Sequence, residues 1–280
     1  MKKLKNFLKK KIPALAEVKP FIERVLCGPI LEHLEFHVVE HCNLNCKGCS
    51  HFSNITEEKF TDCTLIEKRL NRINKIFGKI RKIKILGGEP LLHPEITEII
   101  KITRKSVPDT KIMIITNGLL LKSMPDNFFK ACVDNKITLE ITVYPPIKAH
   151  LNNILEKTSK FNVDVVLSNQ TFNFCAVLNP LGTSNETETF LNCTGKFCTI
   201  LKNDNLYMCS ISAYVDYFNK KFNEKISEGK GINIFTNTAK EILKYLKKPE
   251  TTCRYCTNDL KYFKWETTNN PQAEDWKAKA

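Results

Sequence analysis

Between Leu34 and Leu178, short runs of β-type residues alternate with stretches of helical periodicity, and few folds accommodate that pattern. Leu34–Val39, Ile83–Leu86, Lys111–Thr116, Ile137–Tyr144 and residues 163–168 read as strands, with a sixth at 173–178. Apolar residues at three- and four-residue spacing (Leu65, Ile66, Leu70, Ile73, Ile76, Phe77) predict a helix over 62–77. Further helices are expected over 95–105, 124–135 and 147–160. Gly87-Gly88, Asn117-Gly118 and Pro145-Pro146 stop the second, third and fourth strands. Repeated strand–helix units imply parallel strands, because parallel neighbours need a long, usually helical, crossover. Such units build either a partial barrel or an open doubly wound sheet, and periodicity does not choose between them. In both, the chemistry belongs in loops at the C-terminal ends of strands.

The chain of 280 residues carries twelve cysteines. Its start, Met1-Lys2-Lys3-Leu4-Lys5, is basic but leads into no long apolar core with a small-residue cleavage site. A reducing, cytoplasmic setting is therefore expected, where clustered cysteines serve as metal ligands rather than disulfides. Cys42, Cys46 and Cys49 fall in one loop directly after the first strand. Iron–sulfur clusters are commonly held by four cysteines, so this loop leaves one iron open to an exogenous ligand. Three readings compete. Structural zinc wants four protein ligands, usually from paired CxxC units. A ferredoxin wants a fourth cysteine nearby, yet the next one, Cys63, falls at the start of the first expected helix. The third reading is a catalytic cluster, and the spacing favours iron–sulfur.

The Cys42-x3-Cys46-x2-Cys49 loop, followed by Gly87-Gly88-Glu89-Pro90 after the second strand, resembles the signature of the radical S-adenosylmethionine superfamily. The resemblance covers residues 34–180 and implies an α/β fold, a partial (β/α)6 barrel of parallel strands. It implies that Cys42, Cys46 and Cys49 bind three irons of a 4Fe–4S cluster whose fourth iron is chelated by S-adenosylmethionine. Reductive cleavage then yields a 5′-deoxyadenosyl radical that abstracts a substrate hydrogen, the protein supplying position and exclusion of water. Gly87 and Gly88 are expected to let the backbone approach the methionine moiety, with the backbone at Glu89 and Pro90 receiving its amino group. Gly48 stands where the family often has an aromatic residue beside adenine. Its backbone is expected to contact the base, with His51 or Phe52 replacing the missing ring. Thr116 and Asn117 are expected cofactor contacts, a plain turn being the alternative, and Thr142 and Tyr144 are ribose candidates. An electron donor of flavodoxin or ferredoxin type is also implied.

Cys193, Cys198, Cys209, Cys253 and Cys256 lie beyond that core. The segment from Cys193 to Cys209 resembles the opening of the SPASM/Twitch extension, with Asp204-Asn205 in place of its glycine; both residue types tolerate turns. The resemblance implies one auxiliary 4Fe–4S cluster, as in Twitch, on Cys193, Cys209, Cys253 and Cys256. Cys198 competes for the first position, and tetrahedral zinc is the alternative occupant. The expected organisation is a basic helical arm over 1–32, the core over 33–180, a cysteine-rich Twitch-like domain over 181–266 entered by a polar linker, and a poorly ordered tail over 267–280. Cys27, Cys63, Cys132 and Cys175 are isolated and expected as buried thiols.

The formal net charge of +13 suits an anionic partner. Lys2, Lys3, Lys5, Lys9, Lys10 and Lys11 interleave with Phe7, Leu8 and Ile12, which fits either a peripheral membrane helix or a solvated arm. No nucleic-acid module is evident, and no apolar run is long enough to span a membrane. No nucleophile elbow, Walker loop or zinc-protease helix is present, which excludes the common hydrolase and kinase designs. His93 and Glu140 are further candidates, the first as a cofactor-cavity residue with a helix-start residue before Pro94 as the alternative, the second as a carboxylate inside the barrel with a solvent-facing residue as the alternative. The function expected is hydrogen abstraction from a polar small molecule such as a sugar or nucleotide-linked sugar. Modification of a ribosomal peptide is the alternative substrate, and an electron-carrying iron–sulfur protein the non-enzymatic one.

Overall fold

Strand β2 (Leu34–Val39) is buried along its whole length, as a strand covered on both faces must be. It sits inside an eight-stranded sheet of order β11-β10-β9-β2-β4-β5-β6-β7. The computed structural model describes residues 28–278, so the expected N-terminal arm up to residue 27, its membrane contact and Cys27 lie outside the described residues. In that sheet β4 (Lys82–Gly87), β5 (Lys111–Thr116), β6 (Ile137–Ile141) and β7 (Asp164–Leu167) follow β2 in parallel register. Beside them, β1 (Ile30–Leu31) pairs with β3 (Lys79–Ile80).

Helices α1 (Cys63–Ile76), α2 (Ile96–Ser106), α3 (Asp126–Asp134), α4 (Pro145–Lys148) and α5 (Leu151–Lys160) supply the crossovers. Asp62 caps α1 by accepting from the amides of Thr64 and Leu65, and the helix buries Ile66, Leu70 and Ile73. These side chains join Leu34, Phe36, Ile83, Ile85, Ile112 and Leu139 in one core on the outer face of the sheet.

The strand β8 (Asn173–Leu178) forms where expected but leaves the parallel sheet and pairs antiparallel with β12 (Cys256–Lys264). Five residues separate β7 from β8, too few for a parallel crossover. The free position beside β2 goes instead to β9 (Ile200–Lys202), which runs parallel to it. β10 (Asn205–Tyr207) and β11 (Ile232–Asn233) then continue antiparallel. The sheet therefore crosses the boundary expected at residue 180.

Two other expectations are corrected. The linker entering the cysteine-rich section contains α6 (Glu186–Asn192), capped by Asn185. The tail is packed rather than loose: Trp276 is buried, the Leu178 amide donates to its carbonyl at 2.9 Å, and Thr267 bridges Cys46. Polar flanks hid these anchors. Trp276 joins Phe52, Tyr214 and Phe218 in a second core built on α7 (Ser210–Phe222), and α8 (Ala239–Tyr245) completes the chain's helices among the described residues. Of the isolated cysteines, Cys132 is buried, whereas Cys63 and Cys175 are only half-buried. No helix among the described residues is long and apolar enough to cross a membrane.

Phe218 is fully buried in the second core. Phe218→Ala is expected to lower unfolding free energy by ~3–5 kcal/mol in urea titrations. Leu191, 62% exposed, is the control; Leu191→Ala should stay within about 0.5 kcal/mol of the parent.

Candidate functional site

The loop after β2 folds back so that Cys42, Cys46 and Cys49 border one cavity of about 350 Å3. Its shape is set by the end of β4. The Gly88 amide donates to the Val39 carbonyl at 2.8 Å and the Glu89 amide to the His41 carbonyl at 3.1 Å. A Cβ on Gly88 would stand 1.9 Å from the His41 carbonyl oxygen, so only glycine permits this contact. The close approach expected toward a ligand is thus made toward the cysteine loop, although Gly87 and Gly88 also line the cavity.

Glu89 is fully buried and does not line the cavity. Its carboxylate accepts from Thr116 Oγ1 at 2.7 Å, from the Asn117 amide at 2.8 Å and from the Leu91 amide at 3.0 Å. Burial pushes this carboxyl up to about 7, while the three donors pull it down. The result ties the end of β5 to the end of β4. Asn117 Nδ2 in turn donates to Asn43 Oδ1 at 2.8 Å, within the cysteine loop.

Thr116, Asn117, Thr142 and Tyr144 all line the cavity, as does His51. The His51 ring is already engaged, its Nδ1 lying 2.8 Å from His37 Nε2. Burial, with His37 beside it, lowers its pKa to about 4, which keeps it neutral. Phe52 is instead in the second core. Pro90 opens a 3-10 turn and stays buried. Gly48 does not border the cavity: at φ +62° it faces the C-terminal segment, and a Cβ there would lie 2.6 Å from the Asp275 carbonyl oxygen. That segment fills the space an aromatic residue would need. His93 uses both ring nitrogens structurally, toward the Thr61 carbonyl and the Glu95 amide at 3.0 Å each, and is not a cavity residue.

Several lining residues carried no signal in sequence. Asn54 reaches the cavity with both amide atoms buried and without a partner. Leu86, Ile115 and Phe174 form apolar wall. Trp265 donates its indole N–H to Cys46 Sγ at 3.3 Å. Burial pushes the Cys42 and Cys46 thiols up to about 12, so the metal-free site holds neutral thiols. A metal held by these cysteines would have to displace those protons.

On the cavity face of the sheet, one step below Leu86 and Thr142, stand Lys84 and Glu140, 3.5 Å apart. Glu140 thus does face inward, as expected. Glu35, the register partner of Lys84, lies 2.9 Å from His33.

Cys193, Cys209, Cys253 and Cys256 line a second, small cavity. Cys209 is the N-cap of α7, and its Sγ accepts from the Ser212 amide at 3.4 Å. A helix N-terminus favours negative charge on that sulfur. The 3-10 turn Thr251–Tyr255 presents Cys253, and Cys256 opens β12. Cys198 is not in this set. Burial raises its pKa to about 11, with Glu35 and Cys193 adding and Lys84 opposing. Among the described residues no three His, Cys, Asp or Glu side chains converge tightly enough to hold a single metal ion. The thiols surround space rather than a point.

Residues 37–168 match the family model of the Radical SAM superfamily. GTP 3′,8-cyclase of Chlorobaculum tepidum is 31% identical over 107 residues, 38% of this chain and 32% of that protein. GTP 3′,8-cyclase of Clostridium acetobutylicum is 36% identical over 106 residues, 37% of this chain and 33% of that protein. The chain thus spans about a third of the length of these curated relatives. The solved structure of BtrN in complex with AdoMet and 2-DOIA superposes with a TM-score of 0.50 at 16% identity. It covers 81% of this chain and 93% of BtrN, a likeness of fold.

Replacing Glu89 by Gln sets an NH2 group against donors that now meet oxygen. Glu89→Gln is expected to cost ~1–3 kcal/mol in chemical unfolding, since a buried donor loses its acceptor. An unchanged midpoint would show that the three bonds do not fix the ends of β4 and β5.

Proposed function

From the premise that the chain carries a Radical SAM superfamily domain over residues 37–168, we propose that it is an enzyme that cleaves S-adenosylmethionine reductively and abstracts hydrogen from a polar substrate. A 4Fe–4S cluster, when bound, supplies the electron that splits the sulfonium C–S bond into methionine and a 5′-deoxyadenosyl radical. The observation that carries this reading is one cavity bordered by the thiols of Cys42, Cys46 and Cys49, by Gly87 and Gly88, and by Thr116, Asn117 and Thr142. Three soft ligands in one loop suit an iron–sulfur cluster with one open position.

In this reading Cys42, Cys46 and Cys49 hold the cluster, and Gly87, Gly88, Thr116, Asn117, Thr142 and the buried amide of Asn54 receive S-adenosylmethionine. Gly48, Glu89 and Pro90 act indirectly: Glu89 positions Thr116 and Asn117, Pro90 shapes the turn behind it, and Gly48 admits the C-terminal segment. Leu86, Ile115, Tyr144 and Phe174 keep water from the reacting centre. The electron comes from a flavodoxin- or ferredoxin-type donor. Cys193, Cys209, Cys253 and Cys256 hold an auxiliary 4Fe–4S cluster. Four thiols lining one small cavity support a metal site there, and the resemblance to the Twitch extension is what favours iron–sulfur over zinc.

The substrate lies against the inward face of the sheet. Lys84, Glu140 and Glu35 there offer charged partners to hydroxyl, amine or phosphate groups. A sugar or nucleotide-linked sugar meets that demand, and the relatives named GTP 3′,8-cyclase support a nucleotide-sized polar substrate. A simple electron carrier has no use for such a cavity.

The test is anaerobic reconstitution with iron and sulfide, then dithionite and S-adenosylmethionine, with 5′-deoxyadenosine measured by chromatography. The parent should form it. Cys46→Ala should lose it entirely while keeping the auxiliary iron. Loss of all iron from that variant would sink the two-site reading. Spectroscopy showing tetrahedral zinc on Cys42, Cys46 and Cys49 would sink the activity.

A further inference from the structure

Both tryptophans of the chain, Trp265 and Trp276, sit in the C-terminal segment and aim their indole N–H groups at the cysteine loop. Their targets differ. Trp276 Nε1 donates to the Cys49 carbonyl oxygen at 2.8 Å, a backbone contact. Trp265 Nε1 donates to Cys46 Sγ at 3.3 Å, across 219 residues of sequence. Trp265 and Cys46 are both buried, 7% and 8% exposed, so the indole also shields the sulfur from water.

Trp265 is held from several sides. Its amide donates to the Phe172 carbonyl at 2.8 Å, and its ring stacks on Tyr144 at 5.4 Å. The following residues strap the same loop. The Lys47 amide donates to the Glu266 carbonyl at 3.0 Å, Lys47 Nζ meets Glu266 at 2.8 Å, and the Thr268 amide donates to the Asn45 carbonyl at 3.0 Å. An N–H aimed at one sulfur by this much structure is built in. The other sulfurs of the loop are met by donors close in sequence, Cys49 by the backbone of His51, Phe52 and Ser53 and Cys42 by that of Leu44, while Asn117 Nδ2 stands 3.8 Å from Cys42 Sγ; Trp265 reaches its sulfur from the C-terminal segment.

We propose that Trp265 is a positioning residue that raises the reduction potential of the cluster on Cys42, Cys46 and Cys49 through its N–H bond to Cys46 Sγ; this rests on the cluster reading given above. Hydrogen bonds to ligating sulfurs and exclusion of solvent are the levers by which a protein sets such potentials. Reduction adds one electron to the cluster, its negative charge spreads onto the sulfurs, and an N–H donor stabilises that charge. The bond favours the reduced form and so raises the potential.

Trp265→Phe keeps the stack on Tyr144 and removes the N–H. The full-length protein is reconstituted anaerobically, its iron counted, and the reduced EPR signal that responds to S-adenosylmethionine titrated with dithionite against potential. The expected result is full iron and a midpoint lowered by about 59 mV, a tenfold loss in the one-electron equilibrium constant. Trp276→Phe, which removes a bond to a carbonyl and part of a buried ring but no bond to sulfur, should leave the midpoint in place. In that variant Trp265 is the sole tryptophan, and its fluorescence should be quenched on cluster loading. A parent-like midpoint in fully loaded Trp265→Phe overturns the proposal alone, as does an equal shift in Trp276→Phe. Unquenched Trp265 in loaded Trp276→Phe also overturns it. A parent protein that takes up no cluster on these cysteines overturns the cluster reading instead.

Discussion

The backbone contact between the end of β4 and the end of β2 is the constraint on which the site depends. Two amides, of Gly88 and Glu89, bond the carbonyls of Val39 and His41, and the spacing leaves no room for a side chain at Gly88. The cysteine loop is therefore one body with the next strand's loop. Glu89 extends that body to β5 through Thr116 and Asn117. Burying a carboxylate is unfavourable unless its oxygens are bonded, and here three donors satisfy it.

The topology separates the two thiol sets. Cys42 follows the C-terminal end of β2. β9 runs parallel to β2, so Cys198, just ahead of it, lies at the sheet's opposite end. β10 returns antiparallel and delivers Cys209 there as well. The inward face between the two ends carries Glu35, Lys84 and Glu140. Charges half-removed from water are poor choices for a wall that only needs filling, since Val or Leu would pack there without desolvation cost. Their presence makes the inward face between the two thiol sets polar.

Much of this was legible in sequence because the signals are local. The strands Leu34–Val39 and Lys111–Thr116 fall where periodicity places them. The thiols of the first loop are close in sequence and so are close in space. The set of Cys193, Cys209, Cys253 and Cys256 was reachable only through resemblance, because Cys193 and Cys209 flank a hairpin while Cys253 and Cys256 come from a distant 3-10 turn and the strand after it. What failed was long-range. The departure of β8 from the sheet follows from the short loop before it, but its partner β12 lies far along the chain. Gly48 reads as a lost aromatic until the Asp275 carbonyl is seen against it. His93 next to the Gly-Gly-Glu-Pro turn reads equally as a cavity residue or as a helix-start residue before Pro94, and its ring closes that local turn.

The C-terminal segment links these observations. In the metal-free protein burial keeps Cys46 a neutral thiol, which is a weak hydrogen-bond acceptor. A metal-bound thiolate carries negative charge, and the same indole N–H then makes a charge-assisted bond of about twice the strength. The gain from docking Trp265 is thus larger with metal bound than without. Were metal bound here, the loaded loop and the seated strap would by linkage favour one another. Tyr144, which lines the cavity and stacks on Trp265, shares in that coupling. The loop of three thiols after β2 is therefore braced by a segment more than 200 residues further along the chain, which bonds Asn45, Cys46 and Lys47.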